Sequence, residues 1–250
     1  MFKKIDNITI EYDYKKISSK TIVFLHGFGG NLQSFFHYSK SFQNFGYSTL
    51  NINLTDYGFK NLSKDFSIYD YASVVYKLIK NLKIKSFYII AHSFGGRISI
   101  ILSSMYNLKI DRMVLFDIAG IKPKLSFKTK FKVCFYKLLK FLACKKIINK
   151  NVLQKFGSSD YKMLNQNLKS VFVNVVNEDL TYLLKLIKTK SLIVFGKSDK
   201  DTPIYFAKIF HKQIKNSKLI LLNGDHFCYL TQKEKCISLS KKFLEQKENL

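Results

Sequence analysis

The sequence predicts an α/β protein: a mainly parallel central sheet flanked by helices, with a helical cap inserted late in the chain. Three observations predict it. Uninterrupted apolar runs at 21–25, 87–90 and 192–195 are rich in β-branched and aromatic residues, as strands covered on both faces are. Stretches with apolar residues at helical spacing alternate with these runs, which is the order of β-α units. Each run leads into a glycine-bearing turn, and in such sheets ligand chemistry gathers at the carboxyl ends of the strands. The chain has 250 residues, 47% of them hydrophobic, enough to fill a substantial core.

Taken in order, residues 7–14 alternate around Ile8, Ile10 and Tyr12, a strand with one buried face. The central run 21–25 ends in His26-Gly27-Phe28-Gly29-Gly30, where the glycines free the backbone to turn and present its N–H groups. This turn matches neither the phosphate-binding G-x-x-x-x-G-K-[ST] loop nor G-x-G-x-x-G, and His26 reads as a buttress of its own loop. Residues 47–54 supply another strand, followed by Asp56-Tyr57-Gly58-Phe59. Over 67–82, apolar Ile68, Tyr71, Ala72, Val75, Leu78, Ile79 and Leu82 fall at helical spacing, with Asp70 in the opening turn, where a carboxylate suits the helix dipole.

The run 87–90 leads into Ala91-His92-Ser93-Phe94-Gly95-Gly96, after which the pattern turns helical to Tyr106. Ser93 therefore stands at a tight strand-to-helix corner, which demands small residues two before and two after it; Ala91 and Gly95 are small. A strand over 112–117 ends in Asp117. From 120 to 190 helical spacing dominates, so the chain divides into a core, 1–119 with 191–250, and a cap, 120–190. Strands at 191–196 and 218–222 complete the core. They lead into Lys197-Ser198-Asp199-Lys200-Asp201-Thr202-Pro203 and Asn223-Gly224-Asp225-His226-Phe227, and a helix with Leu239, Phe243 and Leu244 follows.

The corner at Ser93 resembles the G-x-S-x-G nucleophile elbow of the α/β-hydrolase family, with Ala91 at the first glycine. His26-Gly27 resembles that family's H-G turn, and Asp56-Tyr57-Gly58-Phe59 its D-x-P-G-x-G turn without the proline. Asp199 fits G-x-x-D-x-x-x-P through Gly196 and Pro203, and His226 resembles the terminal G-x-x-H or G-H-F turn, with Asp225 inserted between Gly224 and His226. The order Ser93, Asp199, His226 is the family's order of nucleophile, acid and base. The resemblance spans 8–244 and implies a serine hydrolase, esterase- or lipase-like, that cleaves carboxylic esters through an acyl-enzyme. Ser93 would be the nucleophile, His226 the base and Asp199 the acid, with the backbone N–H groups of Phe28 and Phe94 forming the oxyanion hole. It implies a small-molecule ester or acyl substrate and neither cofactor nor metal. Asp201, which also suits the cap of the next helix, and Asp117, at the end of the earlier strand, stay open as alternative acids. Carbon–carbon bond hydrolysis and acyl transfer run on the same three residues.

The net charge is +25, which raises phosphate-bearing partners. The basic residues are almost all lysine, with Arg97 and Arg112 the only arginines; without the guanidinium fork no nucleic acid is expected. Within the cap, Phe131, Cys134, Phe135, Leu138, Leu139 and Leu142 form one apolar face flanked by Lys128, Lys130, Lys132, Lys137, Lys140, Lys145 and Lys146, and 118–159 holds no acid. Such a face suits packing over an acyl pocket, and equally an anionic membrane surface. Cys134, Cys144, Cys228 and Cys236 show no C-x-x-C spacing, so they read as reduced thiols, one of them, Cys228, close to His226. No apolar run is long enough to span a bilayer, and the start lacks a signal-peptide stretch. The expected location is cytoplasmic, with a peripheral place at the membrane as the variant. Composition leaves the oligomeric state open.

Overall fold

The computed structural model describes residues 1–55, 58–59, 62–63, 65–122, 143, 145 and 166–246. Its strands are β1 (Phe2–Ile5), β2 (Ile8–Lys15), β3 (Thr21–Leu25), β4 (Ser48–Ile52), β5 (Ser86–His92), β6 (Lys109–Phe116), β7 (Lys190–Gly196) and β8 (Ser217–Leu222). They form one sheet in the order β1-β2-β4-β3-β5-β6-β7-β8. β2 pairs antiparallel with β1 and with β4; every later neighbour is parallel. The helices among the described residues are α1 (Phe36–Asn44), α2 (Ile68–Asn81), α3 (Phe94–Met105), α4 (Gln166–Asn177), α5 (Ile204–Gln213), α6 (Cys228–Thr231) and α7 (Lys233–Leu244).

The continuous apolar runs are buried on both faces because successive side chains divide between two cores. Val23 and Leu25 of β3 enter one core, with Ile89 and Ala91 of β5 and Ile193 and Phe195 of β7; α2, α3 and α5 cover it. Ile22 and Phe24 enter the other, with Ile90, Leu192 and Val194, under α1, α6 and α7. Each fully buried side chain of this size contributes about 1.5–3 kcal/mol, so the middle of the sheet is a rigid base for the turns at its carboxyl edge.

The helix read over 67–82 is α2, and its apolar positions Ile68, Tyr71, Ala72, Val75, Leu78 and Ile79 are buried. Ser67 and Asp70 close a capping box at its start: the Ser67 side chain accepts from Asp70 N–H, and Asp70 Oδ2 accepts from Ser67 N–H at 2.8 Å. This satisfies two of the backbone donors that a helix N-terminus leaves unpaired. Helix α3 is buried all round from Phe94 to Leu102, as expected of a helix enclosed between the sheet and its neighbours.

Two elements were not legible. β1 is too short to show alternation, with Ile5 its one buried residue. α1 buries the polar Ser39 beside Tyr38 and Phe42, because the Ser39 hydroxyl donates to Asn51 Oδ1 at 2.8 Å; a hydrogen-bonded serine breaks the apolar stripe.

Between β6 and β7 the described residues hold α4 and a 3-10 turn, Thr181–Leu186, and no strand. The apolar face read over 131–142, the thiols of Cys134 and Cys144, and Asp56 and Tyr57 lie outside the described residues. Among the described residues no helix is long and apolar enough to cross a membrane.

Candidate active site

The site lies at the carboxyl edge of the sheet, where the turns after β3, β5, β6, β7 and β8 meet. Ser93 caps α3 with φ 48°, a left-handed backbone that costs a non-glycine residue energy and persists only where its surroundings enforce it. The surroundings are specific. Ser93 N–H donates to the Phe116 carbonyl at 3.1 Å, and the Ser93 carbonyl accepts from Gly96 and Ala119 N–H. The demand for a small residue at 95 is met without slack: a Cβ there would lie 2.0 Å from the Leu25 carbonyl oxygen.

The three residues read from the sequence come together in line. His226 Nδ1 lies 2.8 Å from Asp199 Oδ2, and His226 Nε2 lies 2.9 Å from Ser93 Oγ. A carboxylate only accepts, so Nδ1 carries the proton and the neutral Nε2 accepts from the serine hydroxyl. Burial disfavours the Asp199 carboxylate, but hydrogen bonds from His226 and Thr202 outweigh it and hold its pKa below the ordinary 3.8. Burial likewise disfavours the His226 imidazolium, but the hydrogen bond and charge of Asp199 outweigh it, and Asp117 and Asp201 add to the effect, so its pKa stands above the ordinary 6.5.

Of the three carboxylates, Asp199 is the one hydrogen-bonded to the imidazole, and the turn after β7 holds it there. Asp199 Oδ1 accepts from the N–H groups of Asp201 and Thr202 at 2.8 and 2.9 Å, and Oδ2 accepts from the Thr202 hydroxyl at 2.6 Å. This aims Oδ2 at the imidazole. Asp201 is exposed, and it does not cap α5, whose N-cap is Pro203 with no side-chain hydrogen bond. Asp117 is fully buried but takes other partners: Gly196 N–H at 2.7 Å on Oδ1 and the Cys228 thiol at 3.1 Å on Oδ2. Cys228 is accordingly a buried thiol whose pKa burial raises. Asp199, Asp201 and His226 are also the one group among the described residues with donor atoms close enough for a metal, within 4.8 Å of one another. Nδ1 of His226 and both Asp199 oxygens are already engaged in the hydrogen bonds above.

Phe28 and Phe94 flank Ser93 and pack edge to face, ring centroids 5.1 Å apart. Phe94 is the first residue of α3, so its N–H has no carbonyl to reach within the helix. His26 buttresses the facing loop as read: its Nε2 accepts from Leu54 N–H at 2.9 Å, and Nδ1 donates to the Gly27 carbonyl at 2.7 Å. A cavity of about 420 Å³ opens beside Ser93, walled by Phe28, Phe94, Phe172, Phe206, Phe227 and Leu230, with Arg97 and Asn177 among its polar lining.

Three supporting residues were missed by sequence reasoning. Thr202 completes the acid turn as described. His92 Nε2 donates to the His226 carbonyl at 2.9 Å; burial, and then the His226 charge, push its pKa down to about 3, so it stays a neutral donor. Arg97, one turn into α3, is buried and donates to the Glu178 and Val176 carbonyls at 2.7 and 2.8 Å, tying the end of α4 to the serine's helix. Burial lowers its pKa to about 10, leaving it charged. Its signal was an arginine inside an apolar helix of a chain with one other arginine, Arg112, and lysine for every other basic side chain of that kind.

A family model described as the alpha/beta hydrolase fold matches residues 20–143, which include β3, the glycine turn and the serine corner. The chain belongs to the α/β-hydrolase fold family. Among curated α/β hydrolases it is similar to the AB hydrolase superfamily protein YisY of Bacillus subtilis, at 25% identity over 248 residues, covering 90% of this chain and 91% of that one. Among solved α/β-hydrolase structures it superposes on an esterase from Exiguobacterium antarcticum, with a TM-score of 0.75, 19% identity and 97% of each chain covered. It also superposes on the enol-lactonase from Burkholderia xenovorans LB400, with a TM-score of 0.76, 13% identity, and 98% and 100% covered. At these identities the superpositions speak for the fold.

Proposed function

We propose that this α/β hydrolase cleaves carboxylic esters of small molecules through an acyl-enzyme. The observation that carries the reading is His226 bridging Ser93 Oγ and Asp199 Oδ2 at 2.9 and 2.8 Å on the wall of a largely apolar cavity. A serine hydroxyl is a weak nucleophile at neutral pH. His226 accepts its proton as Oγ attacks the ester carbonyl, then returns the proton to the leaving alkoxide. Asp199 fixes the ring's tautomer and stabilises the imidazolium without taking the proton. The oxyanion meets Phe28 and Phe94 N–H; loss of one such donor costs about 10²–10³ in rate in enzymes of this kind. Water then attacks the acyl-Ser93 ester with His226 again as base. The aromatic walls suit an apolar acyl group, and α4, within the cap expected over 120–190, supplies Phe172 and Val176 to the cavity.

The test is a panel of p-nitrophenyl esters of increasing acyl length, with thioesters beside them. Wild type is expected to hydrolyse the shorter esters, and Ser93→Ala to fall to the uncatalysed background. Folded wild-type protein that cleaves nothing in the panel would count against the assignment.

A further inference from the structure

Asp117 serves neither as acid to His226 nor as a surface charge, yet it is a fully buried carboxylate in a left-handed backbone, φ 44°. We propose that Asp117 is a positioning residue: the turn it occupies holds the serine corner, and its carboxylate joins the acid turn to the base turn beneath the triad. This rests on the serine-hydrolase reading above.

The contacts reach all three turns. On the serine side, Phe116 accepts from Ser93 N–H and Ala119 donates to the Ser93 carbonyl, both at 3.1 Å, so residues on either side of Asp117 grip the nucleophile's backbone. On the acid side, Asp117 Oδ1 accepts from Gly196 N–H at 2.7 Å, and its main-chain carbonyl lies 3.1 Å from the Thr202 hydroxyl, whose single proton goes to Asp199 Oδ2 at 2.6 Å. On the base side, Oδ2 accepts at 3.1 Å from the thiol of Cys228, which follows His226 and Phe227 and opens α6. Asp117 N–H is itself anchored to the Val194 carbonyl of β7 at 2.9 Å.

An asparagine would suit the left-handed turn equally well, at far lower cost of burial. Only a carboxylate accepts on both oxygens, which is what a donor on each side requires. Burial pushes the carboxyl up to about 7, so near neutrality it carries part of a negative charge, and that charge favours the His226 imidazolium. The other titratable groups in this environment are Asp199 and Asp201 on the acid turn, Cys228 and Tyr229 on the base turn, Cys236 on α7, and His92 at the end of β5. Cys228 and Tyr229 are held neutral by pKa values raised by burial, and His92 by one lowered by burial. Asp199 stays ionised, so Asp117 is the buried group in this set poised to change charge near pH 7.

The experiment compares wild type with Asp117→Asn on an ester that wild type cleaves, over pH 5 to about 9, the range in which a histidine base titrates. The expected result is a kcat lower by about ten-fold, the scale of one hydrogen bond to a charged group, with KM unchanged. The acid limb of kcat/KM should move to lower pH, because loss of a neighbouring negative charge makes the imidazolium harder to form. A kcat and an acid limb that both superimpose on wild type would overturn the proposal; so would a raised KM with kcat and limb unmoved, which marks a pocket effect. If Asp117→Asn yields no folded protein, Cys228→Ala and Cys228→Ser decide. Serine restores the donor to Oδ2 and is expected to keep kcat near wild type, while alanine lowers it; equal kcat in the two overturns the proposal. Wild type without hydrolysis or fluorophosphonate labelling would sink the serine-hydrolase reading itself, a result distinct from any of these.

Discussion

Asp199→Asn is expected to lower kcat for ester hydrolysis by about 10⁴, the scale seen when an asparagine replaces the acid of such a triad. The amide leaves the turn's geometry in place, because its oxygen can still accept from the Asp201 and Thr202 N–H groups that hold Asp199 Oδ1. Its NH₂ then faces His226 Nδ1, donor against donor. The ring must turn over or change tautomer, and Nε2 no longer accepts from Ser93. The pH profile moves with it. In wild type the base must be neutral, so kcat/KM is gained as pH rises through a His226 pKa that Asp199 holds above 6.5. In Asp199→Asn the carboxylate that favours the imidazolium is gone, and the acid limb falls to lower pH. Asp201→Asn, at an exposed carboxylate with no hydrogen bond to the ring among those described, is expected to have the far smaller effect. An Asp199→Asn enzyme within a few-fold of wild type, beside a crippled Asp201→Asn, would reverse the assignment of the acid.

The second large effect is expected at Gly95. Alanine there puts a Cβ 2.0 Å from the Leu25 carbonyl oxygen and 2.5 Å from its carbonyl carbon, and main chain on a central strand cannot swing aside as a side-chain tip can. Helix α3 must lift from β3, at a cost of about 1–3 kcal/mol or more. Ser93 sits at the foot of that helix, so the same shift takes Oγ out of reach of His226. Urea unfolding is expected to show a lower midpoint at unchanged slope, and activity to fall by more than the lost stability explains. A Gly95→Ala protein with the wild-type midpoint and rate would contradict the close packing of elbow and strand.

What could be read without coordinates follows from where the chemistry sits. Ser93, Asp199 and His226 each stand in a short turn directly after a buried strand, and apolar runs and turn residues are local features of a sequence. The choice of Asp199 over Asp201 rested on spacing alone, and its physical cause is the pair of backbone N–H groups that hold one oxygen and aim the other. Asp117, considered as an acid because it too ends a strand, is turned away from the imidazole by Gly196 and Cys228. Thr202 acts on Asp199 within one turn, where a threonine carries no distinguishing mark, and His92 and Arg97 were invisible because each acts on a group distant in sequence: His92 on a carbonyl beyond β8, Arg97 on the end of α4. Polar contacts of that range leave no periodic mark on the chain. The lysine-flanked face over 131–142 carries the remaining expectation, a roof for the pocket or a foot on an anionic membrane. Liposome sedimentation at low and high salt separates those two, since only the second weakens with screening.

The most direct measurement is the reaction of folded wild-type protein with a fluorophosphonate, followed by intact mass and peptide mapping. The expected result is one adduct per chain, on Ser93, formed faster as pH rises through the His226 ionisation and absent from Ser93→Ala. Folded protein that forms no adduct, or carries it on another residue while Ser93 stays unmodified, would contradict an activated serine at this corner.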